Sequence, residues 1–187
     1  IAAHLPRIAA DLPDALAVAV QGARKSRYEQ YTFRELEEAS NRIAHGLVGL
    51  GVKRGVRTVL MVKPSLEFFA LTFALFKVGA VPVMVDPGMG IRNLKTCLAE
   101  AEPEAFIGIA KAHAARALLG WARPTVRTKI TVGRRLFWGG HTLDHIEKLG
   151  SDADADAVAT TGADDVAAIV FTSGSTGPPK GVVYRHQ

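Results

Sequence analysis

Leu36, Ala39, Ile43, Leu47 and Leu50 recur at three- and four-residue spacing behind Thr32-Phe-Arg-Glu35, which reads as a capping box, and Gly51 supplies a stop. The pattern predicts an amphipathic helix. A brief β-branched run, Val56 to Val62, bounded by Gly55 and Pro64, reads as a strand. Ser65 can cap the helix after it, Ser65 to Val78, which is apolar nearly all round and so must be covered on more than one side. Gly79 ends it. The alternation continues as strand Val81 to Val85, helix Arg92 to Ala101, strand Ala105 to Ile109, helix Ala112 to Trp121 and strand Arg127 to Val132.

Short continuous apolar strands alternating with helices predict an α/β fold, its parallel strands joined by right-handed helical crossovers and covered on both faces. Ala15 to Gln21 and Glu29 to Tyr31 suggest a small hairpin-like preface. After Trp138-Gly-Gly140 the pattern weakens to a short helix, Leu143 to Leu149, and then to an Asp/Ala/Thr/Gly stretch, Ser151 to Ala163, that reads as a solvated linker or surface loop. Val166 to Phe171 re-enters a core as a strand.

Composition narrows the class. The chain has 187 residues, 48% hydrophobic and 22% charged, with no internal repeat, which argues against disorder, collagen, coiled coil and solenoid. Its single cysteine, Cys97, has no partner for an internal disulfide, reads as a small apolar filler and fits a reducing cytoplasm. The most apolar stretch, Leu66 to Phe76, carries Glu67 and falls short of the roughly 20 residues of a membrane span. Neither a signal-peptide pattern nor an initiator Met opens the chain, so both ends are expected to be cut. Charge is uneven: residues 1–150 hold 21 basic and 13 acidic side chains, residues 151–165 hold five Asp and no Lys or Arg, and residues 166–187 hold two basic and none acidic. An anion site is therefore sought in the last block.

That block contains Thr172-Ser-Gly-Ser-Thr-Gly-Pro-Pro-Lys180-Gly181 directly after an apolar strand. Glycines let the backbone curl so that N–H groups converge on an anion, hydroxyls add rotatable donors, and Lys180 adds a compact positive charge. A P-loop would place lysine directly after its second glycine and a hydroxyl after the lysine; here Pro178 and Pro179 intervene and Gly181 follows. Because Gly181 to Tyr184 looks like another strand, a loop between two strands is the better picture. A flexible linker is the competing reading, and the buried strand before the loop argues against it.

Thr172 to Gly181 resembles the signature loop of the acyl-adenylating (AMP-forming) enzyme superfamily throughout. Tyr31 to Leu36 with the helix containing Asn41 and Arg42, and Phe76 to Pro87, resemble the same family in its order. Val85-Asp-Pro-Gly-Met-Gly90 and the helix after it look like the branch of β-lactone synthetases of bacterial long-chain olefin biosynthesis. The resemblance implies an incomplete N-terminal adenylation domain over 1–187, an acidic loop or linker at 151–165 inside it, and a small C-terminal domain beyond. The isolated fragment is expected to be inactive.

The resemblance further implies that Thr172, Ser173, Gly174, Ser175, Thr176, Gly177, Lys180 and Gly181 bind the phosphates of ATP with Mg2+, and that Lys180 and Thr172 serve the chemistry. Pro178 offers no N–H, leaving the contact to the remaining amides and hydroxyls. A histidine near this point sits by the acyl site in the family, which ranks His186 second; as a residue it reads equally as a chain-end surface histidine. The implied substrate is a long-chain 2-alkyl-3-hydroxy acid, closed to a β-lactone through its own hydroxyl. A long-chain fatty acyl-CoA ligase, which would need CoA, and a non-catalytic nucleotide-binding or partner-docking module stay open as alternatives.

Other signals are weaker. His141 and His145 stand four apart but lack a third ligand, so no protein metal site is expected. Gly88-Met-Gly90 lacks the third glycine of a dinucleotide turn. Arg123, Arg127, Lys129, Arg134 and Arg135 lie near Trp121, Phe137 and Trp138 and read first as a solvated face, with pathway proteins or an anionic membrane surface as partners to consider. No nucleic-acid partner is expected, and the sequence is silent on oligomeric state.

Overall fold

The computed structural model describes residues 2–22, 27–151, 159–172 and 179–186. A first helix, α1 (His4–Asp11), buries Leu5. The sequence reading misses it, because the helix is short and no side chain caps its start. Strands β1 (Leu16–Gln21) and β2 (Tyr28–Thr32) pair antiparallel as the expected preface. Helix α2 (Phe33–Gly49) then begins at a closed capping box. The Glu35 amide donates to Thr32 Oγ1 at 3.2 Å, and the Thr32 amide donates to Glu35 Oε2 at 2.8 Å.

Seven strands form one sheet among the described residues. They are β3 (Arg57–Met61), β4 (Val81–Val85), β5 (Ala105–Ile109), β6 (Thr128–Val132), β7 (His141–Thr142), β8 (Val166–Thr172) and β9 (Lys180–Arg185). Their spatial order is β7-β6-β5-β3-β4-β8-β9, every pair parallel except β8 with β9. Helices α3 (Leu66–Lys77), α4 (Ile91–Ala101), α5 (Ala110–Leu119) and α6 (Leu143–Leu149) complete the fold. The expected α/β class with crossover helices is the observed one. Two apolar layers sandwich the sheet: Ile43, Leu71, Leu75 and Ile107 on the side of α2 and α3, and Val59, Leu98, Phe106 and Trp121 on the side of α4 and α5.

Local departures have local causes. Helix α5 starts at Ala110, two residues before the run that marks it in the sequence, and β7 is too short to carry a period-two signature. Helix α3 is covered as its composition demands, with Glu67 its exposed residue. Of the expected 151–163 loop, 152–158 lie outside the described residues, and beyond them the Ala159 amide donates to the Lys77 carbonyl at 2.5 Å. Cys97 is buried, as a filler should be, with its Sγ 3.6 Å from Met89 Sδ.

Lys77 departs from what pattern alone would place in a core. Its side chain is 0% exposed, with Nζ 2.8 Å from Glu37 Oε2 and 2.5 Å from Asn41 Oδ1. The pair locks α3 to α2 and joins two segments that carried the family resemblance.

Candidate active site

The chemistry-bearing loop hangs from the β8–β9 hairpin, whose register sets Thr172 opposite Lys180 and Phe171 opposite Gly181. A Cβ on Gly181 would stand 3.0 Å from the Phe171 ring, a tight contact that glycine avoids. Ser173, Gly174, Ser175, Thr176, Gly177 and Pro178 lie outside the described residues. The two ends of the loop are placed: Thr172 and Lys180 are both exposed, and no ion pair ties Lys180 to another described residue. The expectation of a loop between two strands, rather than between a strand and a helix, matches the hairpin.

Register with β4 carries this hairpin to the carboxyl edge of the parallel strands. Val85 pairs with Phe171, so Asp86 emerges beside Thr172. A cavity of about 410 Å³ opens there, walled by Leu60, Phe68, Val85 and Phe171, with Asp86 and Thr172 as its polar lining. Asp86 Oδ1 accepts the Gly88 amide at 2.8 Å, which turns the chain through a single 3₁₀ turn, Pro87–Met89, and into α4. Gly88-Met-Gly90 thus serves a strand-to-helix turn. An exposed lysine paired across a hairpin with a threonine that lines a cavity suits the phosphates of a nucleotide.

His186 is placed elsewhere. It lies beyond the far end of β9, a strand of six residues, and its backbone amide donates to the Asp165 carbonyl at 3.2 Å. Its ring meets Phe76 edge-on at 6.4 Å, and both ring nitrogens are buried without a hydrogen-bond partner. The antiparallel register therefore separates it from Thr172 and Lys180. Adjacent Asp165 accepts the Gly162 amide at 2.8 Å and pairs with Arg54 at 2.6 Å, which together hold its carboxyl below the ordinary aspartate range.

The basic and aromatic cluster divides. Trp121 and Trp138 are 3% and 5% exposed, so neither ring is a stacking platform. Trp138 stacks on His113 at 5.6 Å and donates to Thr131 Oγ1 at 2.9 Å, while Lys129 Nζ donates to the Trp138 carbonyl at 2.8 Å. Phe137 stays at the surface. His141 and His145 stack at 5.1 Å; burial, with the positive charges of His145 and Arg135, pushes the His141 pKa down. No group of three or more His, Cys, Asp or Glu side chains able to hold a metal occurs among the described residues.

The model of the AMP-binding enzyme family matches residues 5–187. The chain belongs to that family. It is 54% identical over 193 aligned positions to an olefin beta-lactone synthetase of Stenotrophomonas maltophilia (strain K279a), covering 100% of this chain and 35% of that protein. Identity to the long-chain-fatty-acid–CoA ligase FadD13 of Mycobacterium tuberculosis (strain ATCC 25618 / H37Rv) is 31% over 158 residues, covering 83% of this chain and 30% of the ligase. The chain thus spans about a third of the length of these curated relatives. Among solved structures, the anthranilate CoA ligase AuaEII in complex with anthranoyl-AMP superposes with a TM-score of 0.84 at 20% identity, over 99% of this chain and 34% of that one. At that identity the likeness shows the fold alone.

Sequence reasoning found the loop and missed its neighbours. Asp86 lies within a segment that resembles the family and Phe68 within an apolar helix, and nothing along the chain marks either as a neighbour of Thr172; the fold brings them to one cavity.

Proposed function

We propose that the protein to which this chain belongs activates a long-chain 2-alkyl-3-hydroxy carboxylic acid with ATP and Mg2+, then closes the acyl-adenylate to a β-lactone. The observation that carries the adenylating step is the hairpin pairing of Thr172 with Lys180 at the carboxyl edge of the sheet, at the two ends of the family's loop. The lactone branch rests on identity: 54% to the olefin beta-lactone synthetase against 31% to the fatty-acid–CoA ligase.

ATP supplies an electrophilic α-phosphorus and a pyrophosphate leaving group. The substrate carboxylate attacks that phosphorus and the bond to the bridging oxygen breaks. Lys180 neutralises charge gathering on the leaving pyrophosphate, and Thr172 donates a hydrogen bond from the opposite strand, which is positioning plus electrostatic stabilisation. Ser173, Ser175, Thr176 and the loop amides contribute further donors on this reading, and Gly181 keeps the hairpin closed against Phe171. In the second half-reaction the 3-hydroxyl oxygen attacks the acyl carbonyl, its proton passes to a base, and AMP departs. A cytoplasmic setting accords with a free buried thiol at Cys97.

The test is incubation of the full-length protein with ATP, Mg2+ and a long-chain 2-alkyl-3-hydroxy acid, with and without CoA. A lactone formed without CoA is the expected product; a thioester formed only with CoA would replace the lactone reading with the ligase one. Lys180→Ala should slow ATP–pyrophosphate exchange about 10²-fold, the usual effect of deleting one such donor, about 3 kcal/mol. Unchanged exchange would remove Lys180 from the chemistry.

A further inference from the structure

The five strands β3 to β7 are parallel and stand in the order 5-4-3-1-2 of their own succession, counted from β7. The chain leaves β3 for α3 on one face of the sheet and leaves β5 for α5 on the other. Between the carboxyl ends of β3 and β5 the winding direction therefore reverses, and an open α/β sheet leaves a crevice for a ligand at such a point. A cavity of about 520 Å³ occupies this place. Its walls come from the ends of β3 and β5, from Leu94 of α4 and Ala112 and Ala115 of α5, and from Trp121 in the turn after α5. It adjoins the cavity beside Thr172, sharing Leu60, Val62 and Val85 with it, and extends to the α4–α5 side of the sheet edge, whereas that cavity takes in Phe68 of α3.

Its charge is one-sided. Lys63 and Lys111 line it, both are exposed, and none of its lining residues is acidic, in contrast to the Asp86 carboxylate of the neighbouring cavity. No ion pair to another described residue holds either lysine. The first turn of α5, where Lys111 sits, has no side-chain cap, so its leading N–H groups add positive potential at the same edge. Ile91, 61% exposed, forms an apolar lip on the cavity. Apolar walls, two uncommitted ammonium groups and no carboxylate are the complement of an amphiphilic anion.

We propose that this crevice is a second binding site, distinct from the phosphate loop, for a long-chain carboxylate whose head meets Lys63 and Lys111 and whose tail lies against Leu94, Ala115 and Trp121. The site needs no nucleotide and stands independently of the adenylation reading. Its test uses full-length protein without ATP and dodecanoate carrying a diazirine in its tail, cross-linked by light and located by peptide mapping. Label is expected on the stretch from Ile91 to Leu94 and on α5 through Trp121. The double charge reversal Lys63→Glu/Lys111→Glu, at two exposed positions, should weaken labelling there about tenfold, the worth of lost charge-assisted hydrogen bonds. Ala115→Trp, which fills the cavity, should abolish it, while ATP–pyrophosphate exchange stays unchanged in both variants. Label confined to other segments, label indifferent to the charge reversal, or competition by dodecanol equal to that by dodecanoate would each overturn the site. Because labelling and exchange are read separately, failure of one leaves the other standing.

Discussion

Replacing Lys77 by methionine tests the lock between α2 and α3. The side chains of Lys77 and Glu37 are 0% and 13% exposed, and their charges are 2.8 Å apart. Methionine keeps most of the apolar stem but leaves the Glu37 carboxylate without its cation and Asn41 Oδ1 without its donor. Removing one member of a buried pair costs about 3–5 kcal/mol. Residual exposure of Glu37 lets water relieve part of its charge, which sets the expectation at the lower bound, about 3 kcal/mol. The double variant Lys77→Met/Glu37→Leu should recover most of the loss, because apolar replacement of a whole buried pair is often neutral, with about 1 kcal/mol remaining for the unmatched Asn41. Thermal and urea unfolding of the full-length protein, followed by circular dichroism, measures all three proteins. A single variant within about 1 kcal/mol of the parent, or a double variant less stable than the single, would refute the idea that charge pairing rather than stem packing holds these helices.

Three further outcomes are expected. Thr32→Ala opens the capping box at the start of α2 and should cost about 1 kcal/mol in urea unfolding, with Thr32→Asp retaining most of the stability. Gly46→Ala should destabilise by about 1–3 kcal/mol even though alanine favours helix by about 1 kcal/mol. A Cβ there would overlap the Ile146 carbonyl, and backbone cannot yield as a side-chain tip can; an increase in Tm would show that α6 moves aside freely. His113 is buried with Nε2 donating to the Ile130 carbonyl at 2.9 Å, and burial, opposed by that bond and reinforced by Arg116 and Lys129, holds its pKa below 6.5. The unfolded chain therefore takes up a proton that the folded one refuses as pH falls below 6.5, so stability is full above that value and declines beneath it until the folded pKa is passed. His113→Gln should flatten this slope in a pH series of unfolding free energies, and an unchanged slope would assign it to other groups.

Much of the fold was legible along the chain because its causes are local. Three- and four-residue apolar spacing, the Thr32–Glu35 box, the Ser65 cap and the stops at Gly51 and Gly79 act within one or two turns, so the sequence states them. The Thr172–Gly181 loop was equally plain, since its residue types carry its chemistry wherever the fold places it. Helix α1 and strand β7 were missed because both are short: α1 has eight residues and no side-chain cap at its start, and β7 has two, too few to show an alternation.

Tertiary structure alone decided what meets what. Strand order and register put Asp86 beside Thr172, send His186 to the opposite end of β9, bury Lys77 against Glu37 and Asn41, turn Trp138 inward onto His113, and open the switch-point crevice between Lys63 and Lys111. These pairings join residues tens of positions apart, and spacing within a single element holds no trace of them. They arise because hydrogen-bonded strands and close-packed helices must share one core, a condition that only the whole chain can satisfy.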